Sequence, residues 1–319
     1  MREYTSFLAP YLQSYASFQK ASDRFGSTWE TSLFLFDNHI NTYYPQATEL
    51  TQEMVDTWCS QRETEINNSC IARVNPIVGL IRYLRQRRKT EVAEPVLPRK
   101  ERRTYIPHAF TKTELINFFR ACDEVPDLPK TKVHASRRII VPVFFRLLYS
   151  SGIRTCEARM LRTEDVDLSH GILDIRLSKG IAQHYVALHD SMLNLMRRYD
   201  SAIRKYHPDR IYFFPTKYGS FHKRQWVQVN FRKAWTKYNS AYATAYELRH
   251  NYAIENINSW TDEGFGFDAK LHYLSKSMGH CEVESTKYYY SLTPGMADIL
   301  QAHSDSDIVI PEVDYNESI

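Results

Sequence analysis

Nothing in the chain is apolar for long enough to cross a bilayer: the most apolar stretch, Ile139 to Tyr149, is broken by Pro142 and Arg146. The N-terminus, MREYTSFLAPYLQSY, has no apolar signal-peptide core either, so the sequence reads as soluble, with no membrane partner. Without secretion, the Asn-x-Ser matches at Asn67 and Asn316 carry no meaning. Cys59, Cys70, Cys122, Cys156 and Cys281 form no CxxC pair and are odd in number. That argues against a disulfide framework or a zinc module and for a reduced, cytoplasmic setting. The 12 histidines fall into no metal-ligand spacing. There is no GxxxxGK[ST] phosphate loop, and the loose glycine fingerprint Gly264-Phe265-Gly266-Phe267 follows no strand pattern. It reads as a loop ahead of a helix carrying His280. No metal or cofactor is expected. Charge excess is small: a net +4 and a pI near 8.6 admit a DNA partner without requiring one.

What is present is 319 residues, more than one typical domain, with no repeat or low-complexity tract. After a frayed or partly helical start, Ser27-Thr28-Trp29-Glu30 matches a capping box, and Trp29, Leu33, Phe36 and Ile40 share a helical face. A second helix is expected from Thr51 to about Arg62, burying Met54, Val55 and Trp58. A third, from near Asn68, carries Ile71, Val74, Val78, Ile81 and Leu84. It ends in a basic run that includes Arg82, Arg85, Arg87 and Arg88. A helical first domain over 1–89 follows. Residues 90–107, with Pro95, Pro98 and Pro107 and the cluster Arg99, Lys100, Arg102 and Arg103, read as a basic linker.

The second domain, 108–303, opens on another capping box, Thr111 to Glu114, and a tail covers 304–319. A helix over about Arg138 to Ser150 stops at Gly152, where glycine suits a left-handed end. Leu173, Ile175 and Leu177 alternate with polar residues, and Tyr185 to Leu188 make a return strand, giving a hairpin with Lys179-Gly180 at its tip. Asp190 starts a further helix, Ile211 to Phe214 is a short apolar strand, and the rest is helical. The helix around Lys223, Arg224, Trp226, Phe231, Arg232, Lys233 and Trp235 interleaves basic and aromatic residues. It is either a DNA-backbone face or a core helix on which Trp226 and Val229 pack.

Four segments of this domain carry chemistry. Gly152-Ile153-Arg154-Thr155-Cys156-Glu157 places a guanidinium just after a glycine turn at the start of a helix, a site suited to phosphate. The others are Lys179-Gly180, then Tyr246-Glu247-Leu248-Arg249-His250-Asn251-Tyr252-Ala253, then Met278-Gly279-His280 followed by Thr286-Lys287-Tyr288-Tyr289-Tyr290. In this order the four resemble the boxes G-[LI]-R-x-x-E, the hairpin lysine, H-x-L-R-H-[TS]-F-A and [LM]-G-H…T-x-x-Y of the tyrosine recombinase (phage integrase and Xer-type) family. The resemblance covers about Thr111 to Pro294, more weakly the helical domain before it.

The resemblance implies a mainly α fold with a small β component: a helical (SAM-like) core-binding domain and a mixed α/β catalytic domain clamped on double-stranded DNA. It implies that Arg154 and Arg249 hold the scissile phosphate with His280, that Glu157 and His250 support them, and that Lys179 protonates the leaving 5′ oxygen. Tyr289, nine positions after His280, is the implied nucleophile, and its neighbours Tyr288 and Tyr290 have the wrong spacing. Tyr246 stands where most members have histidine. A phenol stays protonated near neutral pH and mainly donates a hydrogen bond, whereas imidazole also accepts protons. A 3′-phosphotyrosyl bond conserves the energy of the broken linkage, so religation needs neither ATP nor metal.

Implied too are a tetramer on two DNA sites, a C-terminal segment (Met296 to His303) docking on the neighbouring protomer, and a partner recombinase or accessory factor. The setting is cytoplasmic and nucleoid-associated, and no arm-binding domain fits before residue 27. Two rival readings stand beside this one: a recombinase fold kept as a DNA-binding accessory protein, with cleavage weakened by Tyr246, and a type IB topoisomerase.

Overall fold

The computed structural model describes residues 3–22, 25–101, 107–125, 132–176, 183–260, 266–280 and 284–287. The chain divides into two compact units between residues 105 and 106.

In the first unit, helices α1 (Ala9–Ala21), α2 (Ser27–Tyr43), α3 (Gln52–Cys59) and α4 (Asn67–Gln86) pack around one core. Each buries the face that its apolar spacing defines: Leu33, Phe36 and Ile40 from α2, Met54, Val55 and Trp58 from α3, Val74, Ile81 and Leu84 from α4. Thr51 caps α3, its hydroxyl accepting from the Met54 amide at 3.4 Å. Of the two readings of the start, frayed or partly helical, the chain takes the helix, because Leu8, Leu12 and Tyr15 enter the core and buried Asp37 accepts from the amides of Thr5 (2.7 Å) and Ser6 (3.2 Å). One expectation fails. The capping box at Ser27 does not form: Ser27 is already helical and Gly26 holds the cap position without a side-chain bond. Beyond α4 the chain from 90 to 101 lies along this same unit. Val92 is buried, Ala93 N donates to Gln52 Oε1 at 2.8 Å, and Glu101 N donates to Asn68 Oδ1 at 3.1 Å.

The second unit is built on helices α5 (Lys112–Asp123), α6 (Lys132–Ser151), α7 (Thr155–Met160), α8 (Asp190–Arg204), α9 (Arg224–Tyr238), α10 (Glu247–Asn258), α11 (Phe267–Ser277) and α12 (Glu284–Lys287). One antiparallel sheet, ordered β1 (Val166–Asp167), β2 (Ile172–Ile175), β3 (His184–Ala187), lies beside them. The expected class, mainly helical with a small β component, is what the chain adopts. Thr111 and Glu114 form their capping box reciprocally, at 3.2 and 2.9 Å. Helix α6 begins six residues before the expected Arg138, in a polar stretch without apolar periodicity, and passes through Pro142 to stop at Gly152.

The hairpin pairs Ile172 with Ala187 through Ile175 with His184, so Leu173, Ile175, His184 and Val186 face inward. Its expected tip, Lys179-Gly180, lies outside the described residues. The stretch 211–214 is not a strand but an isolated bridge: Tyr212 pairs with Arg162, Phe213 N donates to Leu161 O and Ile211 O accepts from Thr163 N, each at 2.8 Å, and Phe213 and Phe214 are fully buried. On α9 the two readings divide by residue. Phe231 and Trp235 are core, Trp226 stacks on His222 at 3.9 Å, and Lys223, Arg224, Arg232, Lys233 and also Val229 are exposed.

Candidate active site

Helices α6 and α11 both end in a left-handed glycine, Gly152 and Gly279, each with φ of 62°. Neither has room for a side chain. A Cβ on Gly152 would lie 2.2 Å from the Tyr252 ring, and one on Gly279 would lie 2.5 Å from Cε1 of His184. Each glycine is followed at once by chemistry, Arg154 after the first and His280 after the second. His280 thus sits just past the end of α11 rather than on it, as the loop reading had placed it.

Arg154 caps α7 in an extended conformation. Its amide and its Nη1 both donate to the buried Glu157 carboxylate, each at 2.7 Å, so one side chain fixes the backbone and the guanidinium together. The other end of the fork, Nη2, donates to the carbonyl of Gly279 at 2.7 Å. Arg249 on α10 is only 2% exposed and donates to Gly152 O at 2.5 Å and Met278 O at 2.8 Å. The arrangement is crossed: the arginine beside the first glycine turn holds the second turn, and the arginine of α10 holds both. Helix-terminal carbonyls lack intrahelical donors and carry partial negative charge, which suits them to guanidinium groups.

Nη2 of Arg249 also lies 2.9 Å from Nε2 of His280, and Nδ1 of His280 lies 2.6 Å from Oγ1 of the fully buried Thr286 on α12. A guanidinium only donates. Nε2 therefore accepts and Nδ1 carries the proton. Burial, then the charges of Arg249 and Arg154, push the His280 pKa down to about 4, which keeps the ring neutral near pH 7. The half-buried His250 ring is also held down to about 4, by burial and then by Arg249. Tyr246, one turn earlier, is 45% exposed and packs edge-on against His250 with ring centroids 5.0 Å apart.

Of the sequence candidates, Arg154, Glu157, Arg249 and His280 thus meet in one cluster, with Tyr246 and His250 at the start of α10 beside it. Lys179, Tyr289 and its tyrosine neighbours lie outside the described residues, as do Arg102 and Arg103. Arg85, Arg87, Arg88, Arg99 and Lys100 are exposed on the first unit, and Lys223 and Arg224 on the second. Arg82 is exposed but bonded to both Glu94 oxygens at 2.7 Å, and Arg87 lies over the Tyr83 ring at 3.7 Å. Sequence reasoning assigned nothing to Thr286, Tyr252 or His184. Thr286 and Tyr252 were in view within the boxes; His184 was betrayed only by being polar at an inward-facing strand position.

Among the described residues no group of three or more His, Cys, Asp or Glu is placed to hold a metal, and no helix is long and apolar enough to cross a membrane.

Residues 110–295 match the phage integrase family model, more than half of the chain, and the protein belongs to that family. It is similar to the tyrosine recombinase XerD of Oceanobacillus iheyensis, 22% identical over 301 residues that cover 84% of this chain and 93% of that protein. The XerD of Staphylococcus epidermidis (strain ATCC 35984) is 25% identical over 173 residues, covering 52% and 53%. The first curated relatives are matched over 46% to 65% of their own length. The fold is shared with the XerH site-specific recombinase solved on a palindromic difH substrate after cleavage. That likeness has a TM-score of 0.61 at 16% identity and covers 87% of this chain and 78% of that one.

Proposed function

We propose that this protein is a site-specific tyrosine recombinase that cuts duplex DNA by forming a 3′-phosphotyrosyl bond to Tyr289 and rejoins it without an external energy source. The observation carrying this reading is the meeting of Arg154, Arg249 and His280, delivered by three separated segments and linked through the Gly152, Met278 and Gly279 carbonyls. When the tyrosyl oxygen attacks phosphorus, negative charge gathers on the nonbridging oxygens, and preorganised donors in a water-poor site stabilise it. Arg154 and Arg249 supply those donors, with Glu157 and His250 holding them, while the Tyr289 proton leaves through water or the phosphate itself, Lys179 protonates the departing 5′ oxygen and Tyr246 donates to the phosphate. His280 completes the clamp by donating from Nε2 once its tautomer reverses.

The roles of the units follow. Residues 1–89 form a DNA-binding domain joined by 90–107 to the catalytic domain, 108–303. The basic residues Arg82, Arg85, Arg87, Arg88, Arg99, Lys100, Arg102, Arg103, Lys223 and Arg224 neutralise backbone phosphates. Four protomers act on two sites, the C-terminal segment of each engaging its neighbour, with a second recombinase or accessory factor as a further partner at the nucleoid. The biological task is that of a mobile-element integrase or an Xer-like resolvase.

The test is a detergent-resistant adduct on a nicked duplex carrying the ends of the element that encodes the protein. Wild type and Tyr288→Phe form it; Tyr289→Phe binds the same duplex equally well and forms none. Loss of the adduct in Tyr288→Phe instead shifts the register. A wild type that binds but never links to DNA leaves the accessory-protein reading in its place.

A further inference from the structure

His184 occupies an inward position on β3, where the alternation calls for an apolar residue, and it is 8% exposed. Its Cε1, Nδ1 and Nε2 lie 2.5, 2.8 and 3.0 Å from where a Cβ of Gly279 would be. Distances this nearly equal mean that the ring turns its face, not its edge, to the glycine. Tyr252 does the same at Gly152, with Cδ1 at 2.2 Å and Cε1 and Cγ both at 2.8 Å. Both left-handed turns are therefore covered by a ring, and in each the covered glycine presents its carbonyl to an arginine: Gly152 O to Arg249, Gly279 O to Arg154.

From this geometry we propose that His184 is a positioning residue: its ring, laid on Gly279, fixes the carbonyl that anchors Arg154 and so ties the hairpin strand to the phosphate clamp. The inference rests on the recombinase reading for its effect on rate, though not for its effect on the turn. The ring touches neither phosphate nor nucleophile in this role. It acts by shape. Gly279 is free of side-chain bulk and sits at a helix end, so without a covering ring its peptide plane can rotate, and Arg154 Nη2 loses a fixed acceptor. A misplacement of about 1 Å at a site of this kind costs on the order of a hundredfold in rate. The partner that feels it is the hairpin as well, since β3 is the strand that returns from the segment carrying Lys179.

The experiment compares His184→Ala with His184→Phe, the ring at Gly152 showing that a six-membered ring can cover a left-handed glycine in this chain. Hydrogen exchange of the peptide spanning 275–282, measured on the full chain, should quicken in His184→Ala and stay near wild type in His184→Phe, with the first unit unchanged in both. Single-turnover cleavage should fall about ten- to a hundredfold in His184→Ala with DNA affinity preserved, and His184→Phe should recover most of it. In an Arg154→Lys background, which already lacks the fork on Gly279, His184→Ala should cost far less than in wild type.

Exchange at 275–282 that is unchanged in His184→Ala overturns the proposal, as does equal damage by Ala and Phe or full additivity with Arg154→Lys. A wild type that forms no adduct overturns the recombinase reading instead, and leaves the exchange result to decide the role of the ring.

Discussion

At Gly152 and Gly279 the left-handed backbone alone costs an L side chain about 1–2 kcal/mol, and an added methyl also meets the Tyr252 or His184 ring. Gly152→Ala and Gly279→Ala should each lower the urea midpoint of unfolding by more than that conformational cost implies. Gly26→Ala, where the nearest atoms leave open space and φ is −92°, should change it little. Equal midpoints for all three variants would remove the argument from steric contact. Tyr246 is the other residue whose identity matters, because it stands at the usual histidine position yet offers its ring to solvent on one side and to His250 on the other. If its hydroxyl donates to the scissile phosphate, Tyr246→Phe slows single-turnover cleavage markedly, while Tyr246→His keeps or raises activity, because imidazole both donates and accepts near neutral pH. A Tyr246→Phe enzyme as fast as wild type would assign the side chain to packing.

Among the elements, α12 contributes one decisive atom, the Thr286 hydroxyl that accepts from Nδ1 of His280. Thr286→Val keeps the shape and removes the acceptor, leaving a buried N–H without its partner, a loss typically worth about 1–3 kcal/mol. Its signature should be a changed ring tautomer in the nitrogen chemical shifts of His280, and slower cleavage. An unaltered tautomer would show that Arg249 alone sets it. How far such elements can be read from sequence depends on period. Helices α2, α3, α4 and α5 were legible because their apolar residues recur at helical spacing, and the hairpin because Leu173 and Ile175 alternate with polar neighbours. The start of α6 was not, since Lys132 to Arg137 has no apolar repeat. Nor was β1, whose two residues are too short to show any period, nor the true role of 211–214, where buried phenylalanines imitate a strand. In the site, the residues bearing charge were visible as motifs, as were Gly152 and Gly279, but that their carbonyls hold the arginines was not, because which acceptor a guanidinium meets across the fold leaves no pattern in sequence.

For the molecule as a whole, titration and salt give separate tests. His222, His250 and His280 are all held down to about 4, chiefly by burial. Unfolded histidines bind protons near pH 6.5, so between about pH 6.5 and 4 the unfolded chain binds more protons than the folded one, and stability falls as pH falls. Glu247 and Asp165, whose pKa values burial raises, work in the opposite direction but are two groups against three. The Tm of the second unit should therefore drop from pH 7 to pH 5, and a flat profile would contradict the neutral-ring assignment. If the exposed arginines and lysines neutralise phosphates as proposed, DNA affinity should fall by orders of magnitude between about 50 and 200 mM salt. A nearly salt-independent affinity would rule out the clamp.

One consequence of the crossed carbonyl bonds concerns selectivity among anions. If the site acts as proposed, Arg154 and Arg249 keep their carbonyl anchors and are oriented before DNA arrives, so a free inorganic phosphate, held by these groups alone, gains little. A phosphate embedded in a duplex would be different on the proposed reading: the flanking nucleotides would be held elsewhere on the protein and would raise its effective local concentration. The site would thereby be insulated against the ordinary phosphate pool of a cell, and added phosphate at constant ionic strength should leave cleavage unaffected.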